Sequence, residues 1–108
     1  MAGEPRPFDH AAIDDIIHGR IRLGVMAYLS GLESALFGEV RDAVGATDGN
    51  LSAHARKLED AGYVEISKAF AGRRPQTRMR LTPAGRAAWG QWLAQIDRLA
   101  AAAAGPRR

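Results

Sequence analysis

Three sets of residues in this chain could do chemistry, and the first is basic. Between Asp48 and Arg80 lie Asn50, Ser52, Arg56 and Lys57, followed by Lys68, Arg73, Arg74, Arg78 and Arg80. Asparagine and arginine can each make paired hydrogen bonds to a purine edge, while serine and lysine suit phosphate oxygens, so the set has the chemistry of duplex recognition. From Lys68 through Arg86 no acid interrupts the basic residues, which marks one electropositive face although the net charge is only +3. The second set is His10, Asp14 and His18, spaced i, i+4, i+8. On one continuous helix they would share a face and could hold a metal ion, the basis of an alternative reading as a metal-responsive regulator. Against it, Gly19 follows at once, no sulfur or fourth ligand is at hand, and Asp9, Asp14 and Asp15 are equally well placed simply to favour a helix N-terminus. The third is His54, beside which no nucleophile and orienting carboxylate can be discerned. No catalytic residues, metal or cofactor are therefore assigned, and an enzyme is not expected.

The elements that would position the basic residues can be read from periodicity and caps. Ile13, Ile16, Ile17, Ile21, Val25, Tyr28 and Leu29 mark one buried stripe, which Gly19 divides into a short helix over Asp9–Ile17 and a main helix over His18–Leu29. An extended piece at Ser34–Leu36 precedes a second helix, Phe37–Val44, and Gly45-Ala46 makes the turn to a third. Thr47 or Asp48 caps that third helix, which runs to Ala61 and stops at Gly62. Its inward stripe is Leu51, Ala55 and Leu58, with His54 beside them. Asp48, Gly49, Asn50, Ser52, Ala53, Arg56 and Lys57 are left outward, the two small residues allowing close approach to a partner.

Alternation of Val64 and Ile66 with Tyr63 and Glu65, and of Met79 and Leu81 with Arg78 and Arg80, predicts a hairpin. Its loop is Ala71-Gly72-Arg73-Arg74-Pro75-Gln76, with Arg73 and Arg74 at the tip as candidates for backbone or minor-groove contact. Thr82-Pro83 is a strong helix start. Gly85, Trp89, Trp92, Ile96, Leu99 and Ala103 then follow at the spacing of a helix-packing seam, and the alanine-rich tail from Ala100 is expected to fray. Two tryptophans and such a seam exceed what so small a chain easily buries, which implies a homodimer through the first and last helices. Ile13, Ile17, Trp89, Trp92, Ile96 and Leu99 would be the contact residues, unless the tryptophans merely close the core.

The fold class that results is mainly α with a small β-hairpin wing: a winged helix-turn-helix with flanking N- and C-terminal dimerisation helices. The 108 residues are read as one domain, with an N-terminal arm and short helix over 1–17, a core over 18–82, and a C-terminal helix and tail over 83–108. Absence of cysteine excludes disulfides, thiolate metal sites and thiol redox sensing. No apolar run suits a membrane span or signal peptide, so a soluble, cytoplasmic protein without a membrane partner is expected. With no aromatic platform on the basic face, duplex DNA is favoured over RNA.

GVMAYL in the first helix, TDGNLSAHARKLEDAGYVEI through the third, GRRPQT at the wing and LTPAGR opening the last helix together resemble the MarR-like winged-helix transcriptional regulators, in particular a short subgroup with little beyond the DNA-binding domain. The resemblance spans roughly Ile17 to Trp89. It implies a homodimer on a palindromic operator, with recognition residues at Asp48–Lys57 and wing residues at Arg73–Gln76. Relatives often bind a small effector near the dimerisation helices, and Tyr28, Trp89 and Trp92 could line such a pocket, although the effector itself is unknown. Ala55 departs from the pattern, which usually has a larger aliphatic there. A winged helix used for protein contact is the alternative.

Overall fold

The computed structural model describes residues 14–105. Four helices and a small antiparallel sheet follow in the order α1 (Arg20–Ser30), β1 (Ala35–Leu36), α2 (Phe37–Val44), α3 (Asp48–Asp60), β2 (Val64–Ala71), β3 (Arg74–Leu81) and α4 (Pro83–Ala104). The three strands lie in the order β1-β3-β2. One core serves all of them: Ile17, Val25, Met26, Leu29, Val40, Leu51, Ala55, Leu58 and Met79 are fully buried, joined by Val64 and Leu81 at 2% exposure. Burying each of the larger aliphatic side chains contributes about 1.5–3 kcal/mol, so the inward stripes of α1 and α3 and the alternate residues of the hairpin hold the layers together.

The N-terminal region departs from the sequence reading. Residues 14–18 form a single turn, in which Asp14 carbonyl accepts from the Ile17 and His18 amides and its carboxylate accepts from the Ile16 amide at 2.8 Å. Gly19 then adopts φ +125°, so the expected helix up to Ile17 is not formed over its described part and the main helix starts at Arg20 instead of His18. Met1–Ile13, including the expected arm, His10 and Ile13, lie outside the described residues. Ile17, expected at a dimer contact, is wholly buried in the domain's own core.

The helix-turn-helix follows the expected boundaries. The Leu36 amide donates to the Glu39 carboxylate at 2.8 Å, closing the first turn of α2. Thr47 is the N-cap of α3, its hydroxyl accepting from the Asn50 amide at 3.1 Å, a bond whose loss typically costs about 1 kcal/mol. At the other end Gly62 takes φ +82°, and the Tyr63 amide turns back to the Leu58 carbonyl at 3.0 Å. That reversal sends the chain straight into β2.

The hairpin is longer and its turn tighter than the sequence suggests. β2 and β3 pair from Val64 opposite Leu81 out to Ala71 opposite Arg74, leaving a two-residue turn, Gly72-Arg73. Arg74, Pro75 and Gln76 are therefore strand residues and not loop. Proline is tolerated because β1 reaches only Arg78 and Met79, so that side of β3 is unpaired at Pro75. Thr82 accepts from the Gly85 amide at 2.9 Å and caps α4, with Pro83 in the first turn. α4 continues through Ala104, beyond the expected fraying point, as the high helix propensity of the alanine run allows.

Candidate nucleic-acid interface

α3 presents two faces. Leu51, Ala55 and Leu58 are fully buried, whereas Asp48, Gly49, Asn50, Ser52, Ala53, Arg56 and Lys57 are all exposed on the other side. His54 is half-buried between the faces, with Nδ1 shielded and unpartnered. Asn50, Ser52, Arg56 and Lys57 have no side-chain hydrogen-bond or ion-pair partner among the described residues. Asp48 is different: its carboxylate receives Arg41 Nη1 at 2.8 Å, and Arg41 Nε also bonds Asp42 at 2.9 Å. Two carboxylates hold the Arg41 guanidinium charged well beyond its ordinary range, so the turn between α2 and α3 is bridged by a permanent cation.

The structure sorts the basic run into two groups. Arg78 donates to the Ser34 hydroxyl at 2.9 Å, Arg80 pairs with Glu65 at 2.8 Å, and Arg86 donates to the Ser30 and Leu32 carbonyls at 3.2 and 2.9 Å. Arg80 lowers the Glu65 carboxyl below its usual range, chiefly through this hydrogen bond. These three arginines are structural. Lys68, Arg73 and Arg74 are exposed and have no acidic partner among the described residues. Arg73 sits in the turn and Arg74 opens β3, while Gln76 is a half-buried strand residue opposite Ala69.

Strand alternation fixes which way the wing looks. Val64, Ile66, Lys68 and Phe70 share one face with their partners Leu81, Met79, Thr77 and Pro75. The root of that face is core, and its middle faces α3 across an open groove of about 430 Å³ lined by Phe37, Ser52, Ala55, Arg56, Glu59, Ile66, Lys68 and Thr77. The groove thus joins the exposed flank of α3 to the inner face of the wing.

Behind the interface, the Tyr63 hydroxyl donates to the Asp14 carboxylate at 2.6 Å, which with burial pushes the tyrosine up to about 12. This bond and the Ile16 amide occupy the one carboxylate of the His10, Asp14, His18 set that lies within the described residues. Among the described residues no three potential ligands gather around a common point. Trp89 and Trp92 stack at 5.4 Å and are half-buried against the core, with Trp92 Nε1 shielded and unpartnered. Along the same helix Leu93 and Leu99 stay 43% and 39% exposed. No helix among the described residues is long and apolar enough to cross a membrane.

An exposed polar helix following a short turn, a basic hairpin beside it and a long closing helix define the winged helix DNA-binding domain family, whose profile matches residues 21–100; the chain belongs to that family. It is 34% identical over 84 residues to an uncharacterised protein of Methanocaldococcus jannaschii, covering 78% of this chain and 91% of the other. Among solved structures it is similar to a transcriptional regulator homologue from Pyrococcus horikoshii OT3, at 30% identity and a TM-score of 0.74 over 79% of this chain and 84% of that one. It is also similar to a transcriptional regulator assigned to the MarR family from Enterococcus faecalis V583, at 28% identity and a TM-score of 0.60 over 76% and 82% of the two chains. The MarR-like resemblance of the sequence is thereby shown.

Proposed function

We propose that this protein is a homodimeric, sequence-specific transcriptional regulator of the cytoplasm and not an enzyme, with α3 in the DNA major groove and the wing on the adjacent backbone or minor groove. The observation that carries this reading is the pairing pattern: Asn50, Ser52, Arg56 and Lys57 on α3 and Lys68, Arg73 and Arg74 on the wing are exposed and lack side-chain partners among the described residues, while the neighbouring basic residues are bonded within the fold. Arg56 and Asn50 read base edges in this arrangement. Ser52, Lys57, Arg73, Arg74 and Gln76 hold the backbone, and Gly49 and Ala53 allow the helix to seat closely.

Dimerisation is assigned to α4, whose 22 residues carry Trp89, Trp92, Ile96 and Leu99 in one seam with Leu93 beside it. Two recognition helices would then lie about 34 Å apart on one face of a palindromic operator. Selection of bound duplexes from a random library tests both parts of the reading. A palindromic consensus is the expected outcome; no enrichment over input would overturn DNA recognition, and an asymmetric half-site with a monomer in sedimentation would overturn the dimer.

A further inference from the structure

Phe70 is the most exposed large hydrophobic residue described, at 75%, and it stands near the tip of the basic wing, an exposed aromatic on a basic face where the sequence reading expects none. It lies on the wing's inner face, the one turned toward α3, directly opposite Pro75. Lys68 is two residues nearer the core on the same strand, about 7 Å away at strand rise, and Arg73 lies in the turn just beyond the Ala71–Arg74 pair. From root to tip the wing therefore presents Lys68, then the Phe70–Pro75 apolar pair, then Arg73 in the turn. On the opposite face Ala69 and Ala71 of β2 stand across from Gln76 and Arg74 of β3. No acid lies between Lys68 and Arg80.

A DNA strand seen from the edge of its minor groove has the complementary order, anionic phosphate, the carbon-rich face of deoxyribose, then phosphate again. We infer that Phe70 and Pro75 pack against deoxyribose at the wall of the minor groove, while Lys68 and Arg73 take the flanking phosphates. This deepens the DNA-binding reading and rests on it. The contact is apolar, so it adds affinity without releasing counterions, unlike every arginine contact of the wing. It also gives the wing a preferred depth: the ring stops against the sugar wall and so sets where Lys68 and Arg73 meet the flanking phosphates.

The experiment uses the full chain, the duplex recovered by library selection, and hydroxyl radicals, which attack deoxyribose hydrogens from the minor groove. Wild-type protein is expected to protect the sugars flanking the α3 site. In Phe70→Ala that flanking protection is expected to disappear while protection over the α3 site remains, with affinity falling roughly tenfold at an unchanged salt slope. Phe70→Leu, which keeps an apolar side chain, is expected to restore most of the flanking protection. Unchanged flanking protection in Phe70→Ala overturns the inference, as does a loss of salt slope equal to that of Arg73→Ala. Binding to phosphatidylserine vesicles that depends on Phe70, with an unaltered footprint, would also overturn it and assign the residue to a lipid surface. If wild-type protein gives no footprint on any duplex, the failure is of the DNA-binding reading itself. Because Phe70 is outside the core, an unchanged helical circular dichroism signal is expected for both variants.

Discussion

Arg41 and Asp48 form an ion pair of 2.8 Å across the turn that joins α2 to α3. It bridges the turn and places a bound carboxylate at the N-terminus of the proposed recognition helix, where the helix dipole also favours negative charge. Both side chains are substantially exposed, so the stability at stake is small. Asp48→Asn is expected to leave urea unfolding little changed yet to raise affinity for unselected duplex DNA and steepen its salt dependence, because one acid per protomer leaves the interface and Arg41 is freed from it. Unchanged affinity and slope would place Asp48 and Arg41 away from DNA.

Reading and gripping are separable in this architecture. Arg56 lies on the exposed flank of α3 beside Ser52, and Arg56→Ala is expected to relax preference at one symmetric pair of operator positions by about 1–3 kcal/mol while leaving affinity for unselected DNA much less affected. The double change Arg73→Ala and Arg74→Ala should do the opposite, weakening binding to all duplexes alike and reducing the salt slope by roughly two to four per dimer. Competition binding against single-position operator variants at several salt concentrations distinguishes the two. If Arg56→Ala left every position equally constrained, specificity would have to come from Ser52, Gln76 or DNA shape.

What the sequence made legible was the local part. Thr47, Gly62 and Thr82-Pro83 each act within a turn of their own position, and the helix boundaries they imply agree with the structure to within a residue. The inward stripe Leu51, Ala55, Leu58 followed from period alone. The arginines and Tyr63 are harder to read, since their roles depend on partners distant in the chain: Arg78 meets Ser34, Arg86 meets the carbonyls of Ser30 and Leu32, and Tyr63 meets Asp14. No spacing rule foresees such contacts, and a run of six basic residues looked uniform when half of it is structural. The wing tip departs from its sequence pattern for a different reason. Proline reads as a loop exit, but on an unpaired strand side it costs the ladder nothing, so pairing ran three residues further along β3 than expected.

The start of α4 is packed against the hairpin so closely that it requires glycine. A Cβ at Gly85 would overlap the Tyr63 carbonyl oxygen and lie 2.8 Å from its carbonyl carbon, and the obstacle is backbone that also accepts the Thr82 amide. Gly85→Ala is therefore expected to destabilise the fold by about 2–4 kcal/mol in chemical unfolding, through displacement of α4 from the sheet. Gly90, on the same helix, has open space where a Cβ would go. Gly90→Ala is expected to stabilise by about 0.5–1 kcal/mol, since the same change there only improves helix propensity. Equal effects at the two positions would contradict the close approach.

The Tyr63 hydroxyl and Asp14 carboxylate, 2.6 Å apart, tie the turn before α1 to the start of the hairpin. The hydrogen bond favours the neutral phenol, raising the folded-state value to about 12 from an ordinary 10.0. Between these values the native protein holds a proton that the unfolded chain has lost, so the contribution is fully present below about pH 10 and disappears as pH rises through about 12. Wild-type stability should accordingly fall across that window by more than that of Tyr63→Phe, which has no phenol to titrate. Below pH 9 Tyr63→Phe should be the less stable by about 1 kcal/mol, the ordinary net worth of such a bond. Urea unfolding followed by far-ultraviolet circular dichroism at intervals from pH 8 to 12 measures both, and parallel curves for the two proteins would mean that the Tyr63–Asp14 bond is not maintained in solution.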